Sequence, residues 1–236
     1  MFILDDFRIV PKDKFASLDL TMFTYVPETP NDAYQFSTQE KIRAFNNSCV
    51  YLCEFYESVC KNYNDISQEP WDSENNRKLR QLFGLVYKEL FSYQEKIVKF
   101  VLDLLHVQQK FTKTKDAVDK INEYSEKFDF IKNFVEKCYE LYVKQEQKTF
   151  REIRADEVHN INQWDMVNYD FVSTEKGIAI VATSYKTDSK YFYDNIMTVV
   201  ADLIALKNMV EEFTTEENVR KINKICKIDQ GPTELC

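Results

Sequence analysis

The sequence predicts an all-α protein. Its expected form is an antiparallel bundle of four long helices plus a short motif-bearing helix. An irregular N-terminal arm and a small β-hairpin near 169–181 complete it. Three observations predict this. Only 3 glycines and 5 prolines occur among 236 residues, so the tight, positive-φ turns of a many-stranded β protein are scarce. Apolar residues recur at alternating spacings of three and four through four long segments, the period of one helix face. Capping signatures and proline-containing breaks separate those segments.

Residues 1–36 mix short apolar runs with Pro11, Pro27 and Pro30 and read as the irregular arm. Ser37 and Glu40 then form an S-x-x-E capping box, which predicts a helix start. Ile42, Phe45, Cys49, Leu52, Tyr56, Val59 and Tyr63 make one seam from there. Pro70 breaks the chain, and Asp72 or Ser73 can cap the next helix. The second seam is Leu79, Phe83, Val86, Leu90, Tyr93, Ile97, Phe100 and Leu104, expected on one helix over about 73–111. After the break at 112–116 comes a third seam: Ile121, Tyr124, Phe128, Ile131, Val135, Cys138 and Tyr142.

Thr149 and Glu152 form a second capping box, which predicts a short helix over 150–162. The run YDFVS-TEKG-IAIVATSY reads as the hairpin. Phe192, Ile196, Val199, Leu203, Leu206, Val210 and Phe213 mark the last long helix. The domain organisation expected is an arm over 1–36, a bundle over 37–213 and a C-terminal segment with its tail over 214–236. No single seam is wide enough to hold its helix alone, so packing must supply the stability.

Composition narrows the function. Hydrophobic residues make 44% and aromatics 14%, enough for a sizeable core, and the formal charge is −8. A general nucleic-acid coat protein, whose affinity rests on clustered Lys and Arg, is therefore disfavoured. There is no G-x-G-x-x-G and no G-x-x-x-x-G-K-[ST], so a phosphate cradle made of backbone is excluded. Asp5 and Asp6 interrupt the first apolar run and no basic stretch precedes it, unlike a secretory leader. No apolar run reaches the roughly 18 residues that span a bilayer. The expectation is a soluble, cytoplasmic protein with no membrane partner. Its six cysteines, Cys49, Cys53, Cys60, Cys138, Cys226 and Cys236, are then expected as thiols.

Histidine is the scarcest chemical resource: there are 2, His106 and His159. Histidine titrates near neutral pH and is the commonest general acid or base. His159 ends the segment Arg154-Ala155-Asp156-Glu157-Val158-His159 within FREIRADEVHNIN. This segment resembles the R-x4–6-H motif of the HEPN superfamily, helical bundles common in toxin and antiphage systems. The resemblance includes its late position before a last long helix. It implies a homodimer in which two copies of the motif face each other, an endoribonuclease activity that uses no metal ion or other cofactor, and a cognate antitoxin as a partner. Arg154 and His159 would be the catalytic pair, with Arg151, Glu152, Asp156 and Asn160 in support. Ala155 stands where the family usually has a polar residue. If the site is inactive, the resemblance implies RNA or nucleotide binding.

The chemistry suits those residue types. RNA cleavage by its own 2′-hydroxyl needs a base for that hydroxyl and an acid for the 5′-oxygen. Histidines across a dimer could divide the two roles. Arginine is the planar, permanently charged donor for the extra negative charge on the phosphorane.

Two other classes compete. Asp103-Leu-Leu-His106 and Asp156-Glu-Val-His159 both fit carboxylate-x-x-His, which on a helix places both ligands on one face. Di-metal bundles use that spacing, so Asp103, His106, Asp156 and His159 form an alternative metal set. A non-catalytic helical interaction protein is the third reading. Cys49, Cys53 and Cys60 share one side of the first helix but read as small apolar seam residues.

Overall fold

The computed structural model describes residues 4–10, 30–66, 68–146 and 167–228. It is mostly helical with one two-stranded antiparallel sheet. The elements are α1 (Leu4–Phe7), α2 (Pro30–Asn47), α3 (Val50–Ile66), α4 (Glu74–Leu104), α5 (Thr114–Asn122), α6 (Asp129–Glu146), β1 (Val167–Thr174), β2 (Gly177–Tyr185), α7 (Ser189–Phe213) and α8 (Glu216–Ile228). No described helix is long and apolar enough to cross a membrane.

Several boundaries differ from those read off the seams. The first helix begins at Pro30, seven residues ahead of the Ser37 capping box. Proline suits a first helical position because its missing N–H has no partner there anyway. That helix then breaks at Ser48 and Cys49. The Ser48 hydroxyl donates to the Phe45 carbonyl at 2.7 Å, the local side-chain bond that competes with helix continuation. The third seam is likewise two helices, α5 and α6, joined by turns at 123–127. The second long helix stops at Leu104 rather than near 111.

Residues 216–228, expected above as part of the C-terminal segment, form α8. Its start is capped by Thr215, whose Oγ1 accepts the Asn218 N–H at 3.3 Å, and Glu216 and Glu217 sit in its first turn at the positive end of the helix dipole. The hairpin is present as expected. Its loop is Glu175-Lys176 between the paired Thr174 and Gly177. Gly177 has φ +130, a conformation that side-chain-bearing residues rarely take.

The chain divides into two compact units. The first comprises the described parts of Tyr51–Phe91 and Tyr142–Ala201. Its core joins α3 to the leading parts of α4 and α7. Leu52, Tyr56, Val59, Leu79, Phe83, Val86, Phe192 and Ile196 are buried. Phe83 meets Phe192 at 5.6 Å between ring centroids. Tyr87 donates its hydroxyl proton to the Phe192 carbonyl at 3.2 Å, and burial drives that phenol's pKa well above its ordinary range.

The second unit comprises the described parts of Phe2–Val50, Ser92–Leu141 and Asp202–Cys236. Its core is aromatic: Phe45 meets Tyr93 and Phe100 at 5.7 and 5.6 Å, and Phe213 meets Phe130 and Phe134 at 4.8 and 5.6 Å. Edge-to-face and offset pairs of this kind add about 0.5–1.5 kcal/mol each beyond their area. Part of the arm expected to be irregular is docked here. Tyr93 donates to the Phe7 carbonyl at 2.7 Å. The Asn46 amide holds Ile9 both ways, accepting its N–H at 2.8 Å and donating to its carbonyl at 3.1 Å. Across the two units Cys49, Cys53, Cys60, Cys138 and Cys226 are buried and in no disulfide, so the three cysteines of the first seam serve the core as expected.

Candidate functional site

The motif residues Arg151, Glu152, Arg154, Asp156, His159 and Asn160 fall in 147–166, outside the described residues. That segment lies between α6, which ends at Glu146, and β1, which starts at Val167. The described half of the alternative metal set, Asp103 and His106, can be followed atom by atom.

His106 is not on a helix. The helical frame that would place it on one face with Asp103 ends at Leu104, and His106 takes φ 58, the left-handed region. Two bonds define why. The Val107 N–H donates to the Leu102 carbonyl at 3.0 Å and the His106 N–H to the Asp103 carbonyl at 3.4 Å. This is the Schellman pattern, which closes a helix through one left-handed residue, usually glycine. The Asp103 carbonyl also accepts from Lys41 Nζ at 2.7 Å. Burial lowers the Lys41 pKa, with the nearby Asp103 charge pulling the other way. The imidazole of His106 is committed as well: its Nε2 lies 2.6 Å from Asn223 Oδ1, an acceptor, so Nε2–H donates. The space enclosed by Thr38, Lys41, His106 and Asn223 is about 10 Å³, room for about one water and no substrate. The His106 cluster ends a helix and ties α4 to α8. Among the described residues no group of three or more His, Cys, Asp or Glu could hold a metal ion.

A roomier cleft opens in the first unit. It has a volume of about 410 Å³ and is lined by Tyr63, Glu69, Trp71, Asn76, Arg80, Tyr185, Asp188 and Lys190, among others, within the size range of small-molecule sites. Two helix starts form its walls. Ser73 caps α4, its Oγ accepting the Asn76 N–H at 3.1 Å, and Asp188 Oδ1 accepts the Lys190 N–H at 3.1 Å ahead of α7. The caps are themselves braced. Glu69 accepts from Ser73 Oγ at 2.8 Å and from Asn75 Nδ2 at 2.9 Å, and these bonds, that from Asn75 first, hold its carboxyl below the usual carboxylate range. Ser189 Oγ donates to Asn76 Oδ1 at 3.2 Å.

Arg80 is the floor of this cleft and is 2% exposed. Its guanidinium donates to the Thr187 carbonyl at 3.0 Å and lies 3.8 Å from the Tyr185 ring centroid and 5.3 Å from that of Phe192. Trp71 meets Tyr185 edge-on at 5.3 Å, and Tyr63 stacks on Tyr193 at 3.9 Å with 5° between planes. Cation–π contacts are worth about 2 kcal/mol when desolvated. Arg80 therefore anchors the strand end and the turn after it onto α4. Lys190 pairs with Asp194 within α7, and the Glu69 and Asp188 carboxylates are engaged at the two helix caps. Such a cleft would sort ligands by shape and ring stacking rather than by net charge.

Sequence reasoning misses Arg80, although a signal exists. Asn76, Arg80, Tyr87 and Gln94 are all buried, and the last three succeed one another at intervals of seven. That is a polar row at helical spacing running beside the apolar seam.

No family model matches the chain, and no curated protein and no solved structure matches it either.

Proposed function

We propose that the chain is a HEPN-like cytoplasmic endoribonuclease that cleaves RNA through Arg154 and His159. The observation that carries the reading is the segment Arg154-Ala-Asp-Glu-Val-His159 in the sequence. The mostly helical fold agrees with it, as does the position of the motif ahead of the long helix α7. In this reading the four long apolar seams of the sequence form the antiparallel bundle, two copies pair as a homodimer, and an antitoxin holds the activity in check. His159 moves the protons of the 2′-hydroxyl and the 5′-oxygen, and Arg154 takes the charge that develops on the phosphate. Arg151, Glu152, Asp156 and Asn160 orient the pair. The di-metal reading loses its geometric premise at Asp103 and His106, which do not share a helix face.

The test is cleavage of a structured RNA by the purified protein in EDTA, with the product ends identified. The expected result is 2′,3′-cyclic phosphate ends, and a fall of about 10²–10⁴-fold in rate for His159→Ala, the range of general acid–base catalysis. An intact RNA with wild type, or equal cleavage by His159→Ala, refutes the proposal.

A further inference from the structure

The hairpin β1–β2 exposes apolar side chains on the face where a folded sheet normally buries them. In the antiparallel register Tyr169 pairs with Ala182, Phe171 with Ile180 and Ser173 with Ile178. Opposed residues of such a pair, and every second residue along each strand, share one face. Tyr169 is 58%, Phe171 73%, Ile178 74% and Ile180 64% exposed. Ser173 and Ala182 are exposed too, and none of the six carries a charge. A lone two-stranded hairpin is marginal in water and needs a cover on its apolar face, and none of the described residues supplies one.

We infer that a second copy of this chain covers that face, the two hairpins packing face to face about a two-fold axis. The side-chain sizes fit this occupant. Let the axis lie between the two sheets, perpendicular to the strands, at the row of Phe171 and Ile180. Each strand then lies over its own counterpart with its direction reversed. Tyr169 of one copy falls over Ser173 of the other, and Ala182 over Ile178, a large side chain on a small one at each end. Phe171 meets Phe171 and Ile180 meets Ile180 at the centre. Both inner faces interdigitate at the usual sheet spacing of about 10 Å.

The area agrees. The four large residues expose about 500 Å² per copy, so complete burial of both faces would remove about 1,000 Å² in total, which reaches the lower bound of a specific interface. An isologous contact also needs a patch compatible with itself. A chain of formal charge −8 meets its copy with least repulsion through an uncharged face. The inference uses no residue of 147–166; it shares with the RNA-cleavage reading the expectation of a homodimer, and the hairpin substitutions below separate the two, since RNA cleavage lost by His159→Ala with the dimer intact bears on that reading alone.

Sedimentation equilibrium of the full chain tests it, with circular dichroism as the check on folding. Wild type is expected to be a dimer at micromolar concentration. Ile180→Lys places two like charges against each other at the axis and is expected to weaken the dimer at least about 100-fold while keeping the helical spectrum. Val172→Lys, on the opposite face beside Ala179, is expected to leave the dimer intact. A second arm reads the register: Tyr169→Lys alone weakens the dimer, and adding Ser173→Glu restores it, because the two positions face each other across the axis. A monomeric wild type at about 100 μM overturns the inference and leaves the face to a different protein. Equal effects of Ile180→Lys and Val172→Lys, or no rescue by the paired substitution, overturn it as well.

Discussion

Replacing His106 tests the account of how α4 ends, because two substitutions there separate backbone from side chain. His106 holds φ 58 and its Nε2 bonds Asn223 Oδ1 at 2.6 Å. The left-handed backbone costs a residue with a Cβ about 1–2 kcal/mol. Losing the imidazole leaves the 8%-exposed Asn223 without that donor, worth about 1–3 kcal/mol for a buried polar group. His106→Ala loses the bond and keeps the strain, so it should destabilise by about 1–3 kcal/mol. His106→Gly loses the same bond and relieves the strain. The greater freedom of glycine in the unfolded chain offsets about 0.5–1 kcal/mol of that relief. The glycine variant should therefore exceed the alanine variant by about 0.5–1 kcal/mol, or about 2 °C in Tm for a chain of this length. Inside a helix the order is the reverse by about 1 kcal/mol. Denaturant unfolding of the two variants, with Asn223→Ala closing a double-mutant cycle, makes the comparison. An alanine variant more stable than the glycine variant would show that His106 continues the helix, and the Schellman ending would be refuted.

The second unit supplies two further predictions. Gln39 is 6% exposed, and among the described residues neither its Nε2 nor its Oε1 finds a hydrogen-bond partner. Gln39→Met keeps the length of the side chain and removes the buried amide, and should raise stability by about 1–2 kcal/mol; a lower Tm by calorimetry counts against it. Burial first, and then the bond to Asp119 Oδ1 at 2.5 Å, pushes the Tyr139 phenol up to about 12 from its ordinary 10.0. The folded state thus holds this proton more tightly than the unfolded chain does. Its contribution is fully present below about pH 10 and is lost as the pH rises through about 12. Unfolding free energies measured across that window should fall more steeply for wild type than for Tyr139→Phe, and equal slopes contradict the assignment.

Much of the fold was legible because burial imposes a period that local sequence records. The seams of α4 and α7 mark their buried faces, from Leu79 to Leu104 and from Phe192 to Phe213, and the turn TEKG marks the hairpin. The boundaries were less legible. The seam runs unbroken through Ser48 and Cys49 because Cys49 is buried on the same period as its neighbours, so periodicity cannot show that the backbone turns there. The C-terminal helix was readable from Val219, Ile222 and Cys226 on one face, all buried.

The sequence by itself determined the class of the protein, since glycine scarcity and helical periodicity are properties of composition and order. It also supplied the R-x4-H segment on which the functional reading rests. Only the tertiary structure decided what His106 does. Carboxylate-x-x-His spacing implies a shared face only while the helix continues, and whether it continues depends on Lys41 from α2 and Asn223 from α8 meeting its end. The same holds for Arg80. A lone arginine in a helix reads as a solvated charge, and only the return of Tyr185, Thr187 and Phe192 from about a hundred residues away makes it the buried anchor of the hairpin. Local sequence encodes the periods of burial, and it leaves undetermined which distant groups arrive to satisfy a given polar atom.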